Sequence, residues 1–220
     1  MFSNEDHVKT FFRFISQDHH KRSGERIDKA YVHKRNPNQV NISDIRPVPP
    51  VALHLLEDAG APFNVFYGSA MPNLNCDVCF DHPLDHYPMM LAFEIGRQGA
   101  LAVSHLFYDV PLDGYVCIVD TANLAFKQFM ELDKPLYVVF VDSNIEDKKG
   151  VHKREMNTLF IQEGVVCAHC FGRITVLPKS MYRRFRLSSR SRVLQCPVGK
   201  THHIPTNLDV VSTQAISVAS

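Results

Sequence analysis

The stretch Tyr87-Pro-Met-Met-Leu-Ala-Phe-Glu94-Ile-Gly-Arg97-Gln98-Gly-Ala-Leu-Ala-Val-Ser-His105-Leu-Phe107 decides the fold. It is rich in helix formers and almost wholly apolar. Pro88 suits the first turn of a helix, where its missing N–H costs nothing. Asp85, just upstream, has the residue type that caps such an end and the charge that suits its dipole. Asp109, Pro111 and Gly114 close the segment. At about 100° per residue the helix is apolar nearly all round, apart from a stripe of Tyr87, Glu94, Arg97, Gln98 and His105. Such a helix has to be buried, and a sheet is the element best able to wrap it.

Working outward, most of what remains reads as strand. Gln39–Ile45 alternates and ends at Pro47-Val48-Pro49-Pro50, and Phe63–Phe66 is a second candidate, with a helical turn between them over His54–Gly60. Beyond the helix come Tyr115–Val119, continued after a bend by Asn123–Phe129, and then Pro135–Val141. Asn144–Gly150 reads as a charged turn. Met156–Gln162 and Val165–Leu177 form a hairpin around the two-residue turn Glu163-Gly164. One buried helix followed by antiparallel strands makes an α+β domain. A helix gripped by a curled antiparallel sheet is the hotdog arrangement. Three parts are expected: an N-terminal extension over 1–29 with a short amphipathic helix at Phe11–Ile15, the hotdog domain over 30–186, and a partly disordered tail over 187–220.

Composition narrows the partners. The chain has 220 residues and a formal net charge of +1, with 45% hydrophobic residues, as ordinary globular domains have. Nothing in that balance points to nucleic acid or to a membrane. The start lacks the basic and long apolar regions of a signal peptide, and no apolar run is long enough to span a bilayer, so the expected compartment is the cytoplasm. Of six Cys, two pairs, Cys76/Cys79 and Cys167/Cys170, have metal-like spacing. Both lie in strand-like sequence, where positions i and i+3 point to opposite faces, so buried thiols are expected rather than zinc. No metal or other cofactor is expected.

Two groups of residues carry chemistry. Asp81-His82-Pro83-Leu84-Asp85-His86 packs four ionisable side chains in front of the helix. Glu94 lies about two turns into the helix, with Gln98 one turn on and Arg97 within reach. A carboxylate in so apolar a setting is either paired or raised in pKa by desolvation, and a raised value is what acid–base work near neutrality needs. The spacing leaves both open.

Asp81-His82-Pro83-Leu84-Asp85-His86-Tyr87-Pro88-Met89-Met90, with Glu94 and Arg97-Gln98, resembles the signature of the A-factor biosynthesis hotdog family. Val32-His33-Lys34 before Val40, Val110-Pro111-Leu112, Leu132-Asp133-Lys134-Pro135 and Leu177-Pro178-Lys179 with Tyr182-Arg183-Arg184 resemble further family segments. The resemblance covers about 30–186. Two departures stand out: Met89 occupies the family's usual Gly position, which bears on activity, and there is one Asp-His-Pro-x-Asp-His segment where the best-known members have two. A lone module leaves a sheet edge uncovered, so a homodimer is expected.

The resemblance implies an acyltransferase joining a β-ketoacyl thioester, on acyl carrier protein or coenzyme A, to dihydroxyacetone phosphate or a similar phosphorylated acceptor, toward γ-butyrolactone or butenolide signals of secondary metabolism. It implies catalytic roles for Glu94, His82, Asp81 and Gln98, and substrate binding by Arg97, Asp85, His86, His33 and Lys34. A dehydratase or thioesterase of the same fold, or a non-catalytic acyl-binding protein, is the alternative. The arginines at 183, 184, 186, 190 and 192 offer a docking edge for an acidic carrier.

Overall fold

The computed structural model describes residues 5–21, 25–53, 55, 64–76, 79–80, 82–148 and 150–195. The helical turn expected over His54–Gly60 lies almost wholly outside them. Contacts divide the chain into two units, Met1–Lys179 and Ser180–Ser220.

The deciding stretch is helix α3, Met89–Phe107. Before it come α1 (Glu5–Lys21), strand β1 (Arg46–Pro47), the short α2 (Pro50–Leu53) and β2 (Asn64–Ser69). After it come β3 (Tyr115–Phe126), β4 (Tyr137–Lys148), β5 (Val151–Gln162), β6 (Val165–Pro178) and α4 (Lys179–Gln195). The strands form one antiparallel sheet in the order β1-β2-β4-β5-β6-β3. It is open, with β3 at one edge.

The period of two along the central strands sorts side chains onto two cores. Val138 and Phe140 of β4, Phe160 of β5 and Val176 of β6 pack with Leu91, Ile95 and Val103 of α3. Tyr137, Val139 and Val141 point the other way, joined by Leu159 and Ile161, and meet Val8, Phe11 and Ile15 of α1. The Phe11–Ile15 patch therefore belongs to a full helix that buries one stripe on the sheet's outer side.

Two glycines of α3 behave differently. A helix-interior glycine costs about 1 kcal/mol relative to alanine. At Gly99 the cost has a packing reason, because a Cβ there would lie 2.1 Å from the Phe140 ring. At Gly96 the nearest atoms, Cys170 Sγ and Thr158 Oγ1, are both 3.9 Å from the Cβ position.

Several expectations need correction. Asp85 does not cap α3. The cap position is Pro88, which makes no side-chain cap bond, and the Asp85 carboxylate instead takes Nδ1 of His86 at 2.7 Å. Gln39–Ile45 is not a strand. Pro37–Gln39 is a 3-10 turn, and only Ile42 and Ser43 make isolated bridges, to Ala70 and Arg26. Asn144–Lys148 is strand rather than turn, because a bulge after Asp142 resets the register and Glu146 and Asp147 then pair with Lys153 and His152 across to β5. β3 is continuous through Phe126 with a register shift after Val119. The hairpin turn stands as read, with both Glu163 (φ 49) and Gly164 (φ 78) left-handed.

The second unit shows α4 continuing to Gln195, so residues 187–195, assigned to the tail by composition, are helical; 196–220 lie outside the described residues. Arg183, Arg184, Arg186 and Arg190 are exposed on it. No helix among the described residues is long and apolar enough to cross a membrane.

Candidate functional site

Glu94, Arg97 and Gln98 stand at i, i+3 and i+4 of α3, so helix geometry alone stacks them on one face. Arg97 grips the Glu94 carboxylate with a two-pronged contact, Nε to Oε2 and Nη2 to Oε1, each 2.8 Å. Gln98 Nε2 donates to Oε1 at 2.8 Å, and Lys34 Nζ approaches the same oxygen at 2.9 Å. Gln98 is wholly buried. It also ties down the loop ahead of β1: its Oε1 accepts from Asn41 N, and its Nε2 donates to Gln39 O, both at 2.8 Å. Arg97 reaches Val32 O at 3.3 Å.

These contacts resolve the question the spacing left open. Burial pushes the Glu94 carboxyl up, but the hydrogen bonds and charge of Arg97, with Gln98 and Lys34, outweigh it and hold the group at about 2. Glu94 is a paired, ionised carboxylate and not a raised one.

The cluster borders a cavity of about 440 Å3. Its polar end is formed by Lys34, Asn38, Gln39, Asn41, Glu94 and Arg97. The remaining walls come from Met90, Phe93 and Ala100 of α3 and from Val119, Met156 and Ile174 of the sheet. Cys76 and Cys79 also line it, in a turn where Cys79 N donates to Cys76 O at 2.9 Å. This corrects the strand reading of that pair. Burial, and next the neighbouring Cys76 thiol, push Cys79 up. Cys167 and Cys170 do lie on a strand, β6, and both are buried free thiols. Among the described residues no three His, Cys, Asp or Glu side chains converge as a metal site would require.

The His-rich loop is held elsewhere. Tyr87 N donates to Met130 O at 2.8 Å and Leu132 N to Asp85 O at 2.9 Å, which ties the segment before α3 to residues 130–132. The His86 ring meets Phe129 edge-on at 5.1 Å. His82 is exposed, and neither it nor Asp85 nor His86 is among the cavity-lining residues; Asp81 lies outside the described residues. Met89, in the family's glycine position, is 54% exposed and does not line the cavity either. His33 sits beside the site rather than in it. Its Nε2 is 2.9 Å from Nε2 of His105, whose Nδ1 meets Val110 O at 2.7 Å. Burial first, then His105 and Arg97, lower the His33 pKa.

So the structure brings together Lys34, Glu94, Arg97 and Gln98 and leaves the loop histidines apart. Sequence reasoning missed Asn41, Cys76, Cys79 and the sheet residues of the cavity. Strand register places the sheet residues against α3, and loop packing brings up Asn41, Cys76 and Cys79; no local pattern carries either.

A helix on the inner face of an open antiparallel sheet, with a mostly apolar cavity along it, defines a hotdog protein. Residues 15–178 match the A-factor biosynthesis hotdog domain, and the chain belongs to that family. No curated protein matches. Among solved structures the chain is similar to a Lactococcus lactis protein with a provisional thioesterase assignment (10% identity, 66% of this chain and 99% of that one, TM-score 0.43). It is also similar to a hot-dog-like protein from Thermanaerovibrio acidaminovorans (14%, 53% and 76%, TM-score 0.37). A mutant thioesterase from Pseudomonas aeruginosa is a third (12%, 61% and 81%, TM-score 0.36).

Proposed function

We propose that the chain is an acyltransferase that binds a β-ketoacyl thioester, carried by acyl carrier protein or coenzyme A, and passes the acyl group to a phosphorylated hydroxyl acceptor such as dihydroxyacetone phosphate. The observation that carries this reading is the cavity with an apolar body and a Lys34–Glu94–Arg97 polar end. Family membership supports it. The acyl chain takes the apolar part, and the thioester carbonyl lies toward the first turn of α3, whose free N–H groups and dipole favour an oxyanion.

A carboxylate at about 2 is a poor base, so Glu94 has to be activated before it can take a proton. An anionic acceptor supplies one. Its phosphate competes with Glu94 for Lys34 and Arg97, and each cation drawn away lets burial raise the carboxyl toward the useful range. Glu94 then takes the acceptor hydroxyl proton, the oxygen attacks the thioester carbon, and the C–S bond breaks as Glu94 returns that proton to the departing sulfur, which leaves as the thiol. Gln98 holds the carboxylate in place. His82, Asp81, Asp85 and His86 keep at most a role at the approach to the cavity, and His33 one in holding Lys34.

The long edge strand β3, with Val119 and Phe126 exposed, supports the homodimer expected of a single module. The full complement of donors on Glu94 favours one other reading, acyl binding without turnover. The test is Glu94→Gln and Glu94→Ala, assayed with a β-ketoacyl thioester and dihydroxyacetone phosphate. Loss of ester product in both is expected. Full activity in either removes Glu94 from the mechanism, a free acid or enoyl thioester as product replaces acyl transfer with thioesterase or dehydratase chemistry, and binding without any product leaves the non-catalytic reading.

A further inference from the structure

We infer that Gly96 and Gly172 set the length of acyl chain the cavity accepts, by leaving open the space between helix and sheet beside Glu94. The two glycines of α3 differ in what surrounds them. Gly99 is required by the Phe140 ring, which leaves no room for a Cβ. Gly96 has no such reason, since a Cβ there meets only ordinary contacts at 3.9 Å, and one face of the residue opens onto the cavity. A glycine that weakens its helix and relieves no clash is explained by the volume it leaves empty.

The sheet below repeats the pattern. Gly172 lies in the interior of β6, where glycine weakens a strand, and its Cβ position meets nothing nearer than Thr121 O at 4.0 Å. It pairs with Ala122 on one side and Met156 on the other, and all three line the cavity. Gly96 lies over the Cys170–Thr158 pair of the sheet, and Gly172 with Ala122 follows two residues along β6, so small residues line neighbouring levels of one cavity. Larger side chains, Phe93, Val119 and Ile174, bound the rest.

The identity of the occupant as an acyl chain rests on the function proposed above; the open space does not. Gly96→Ala and Gly172→Ala each put one methyl group into the passage without a backbone clash. Binding of butanoyl-, octanoyl- and dodecanoyl-coenzyme A is measured by calorimetry, with thermal melting of each variant beside it and turnover with a phosphorylated acceptor assayed in parallel. One methylene in an apolar pocket is worth about tenfold or more. The expected result is affinity that rises with chain length in the wild type, about a tenfold loss for the longest chain that binds in either variant, no change for butanoyl, and a Gly96→Ala melting temperature at or above wild type. Equal changes at all lengths, no change in either variant, or wild-type binding indifferent to length each overturns the inference. Turnover indifferent to length keeps the acyltransferase reading and sinks this one, whereas length-dependent binding without turnover does the reverse.

Discussion

Glu94 and Asp142 are both carboxylates in contact with the inner core, each beside an arginine, yet they stand at opposite extremes. Glu94 accepts hydrogen bonds from Arg97 and Gln98, pairs with Lys34, and is held at about 2. Asp142 is 1% exposed, its oxygens have no hydrogen-bond partner among the described residues, and Arg154 Nε stops 3.9 Å away. Burial raises Asp142 to about 6, and the nearby Tyr108 hydroxyl and Arg154 charge fail to offset it. Arg154 spends itself on Asp147 at 2.9 Å and on the face of the Tyr108 ring at 4.5 Å. A neighbouring cation alone does not offset the burial of a carboxylate; donors at hydrogen-bond distance do.

The contrast can be broken experimentally, starting where the effect is largest. Glu94 has a folded value below its ordinary 4.5, so its contribution is full above pH 4.5 and drains away as pH falls toward 2. The shift corresponds to about 3 kcal/mol. Glu94→Gln therefore loses about that much in urea unfolding at pH 7, with the gap to wild type closing in acid; a constant gap would show that the carboxylate is not the source. Arg97→Met removes two of the donors but leaves Lys34 and Gln98, so about 2 kcal/mol is expected by the same measurement. Asp142 has the opposite sign. Its folded value lies above 3.8, so ionisation costs stability across the window from 3.8 to about 6 and the cost stays above it. Asp142→Asn should raise stability by about 1–2 kcal/mol at pH 8 and leave it unchanged at pH 4, because part of the gain is lost in leaving Arg154 with Asp147 alone. Asp85→Asn, at a fully exposed carboxylate that caps nothing, should leave the melting temperature unmoved.

The same contrast explains what could be read from the sequence. Glu94, Arg97 and Gln98 were legible because one helix face brings i, i+3 and i+4 together without tertiary information. The α3 core and the Glu163-Gly164 turn were legible for the same local reason. Lys34 was reachable only through the family resemblance, and Asp142, one residue past the strand read over Pro135–Val141, was passed over because its burial beside Arg154 of β5 and Tyr108 is tertiary. The charged Asn144–Lys148 segment was misread since cross-strand pairing with Lys153 and His152 makes so polar a run stable as strand. Asp85 had the right residue type and position for a cap, but its partner turned out to be His86, one residue away.

The paired rings of His33 and His105 have a consequence for proton counting. A carbonyl only accepts, so His105 must donate from Nδ1 to Val110 O, which in the neutral ring leaves a lone pair on Nε2. His33 must then carry its hydrogen on Nε2 to bridge the 2.9 Å gap. The tautomer of both rings is fixed from one backbone oxygen, and a proton added to His105 would set two N–H groups against each other. A proton added to His33 would go to Nδ1 and leave the Nε2–H bridge in place. Since His33 is the left-handed residue directly before Lys34, the ammonium that pairs with Glu94 hangs from a ring whose hydrogen is placed by the Val110 carbonyl two hydrogen bonds away.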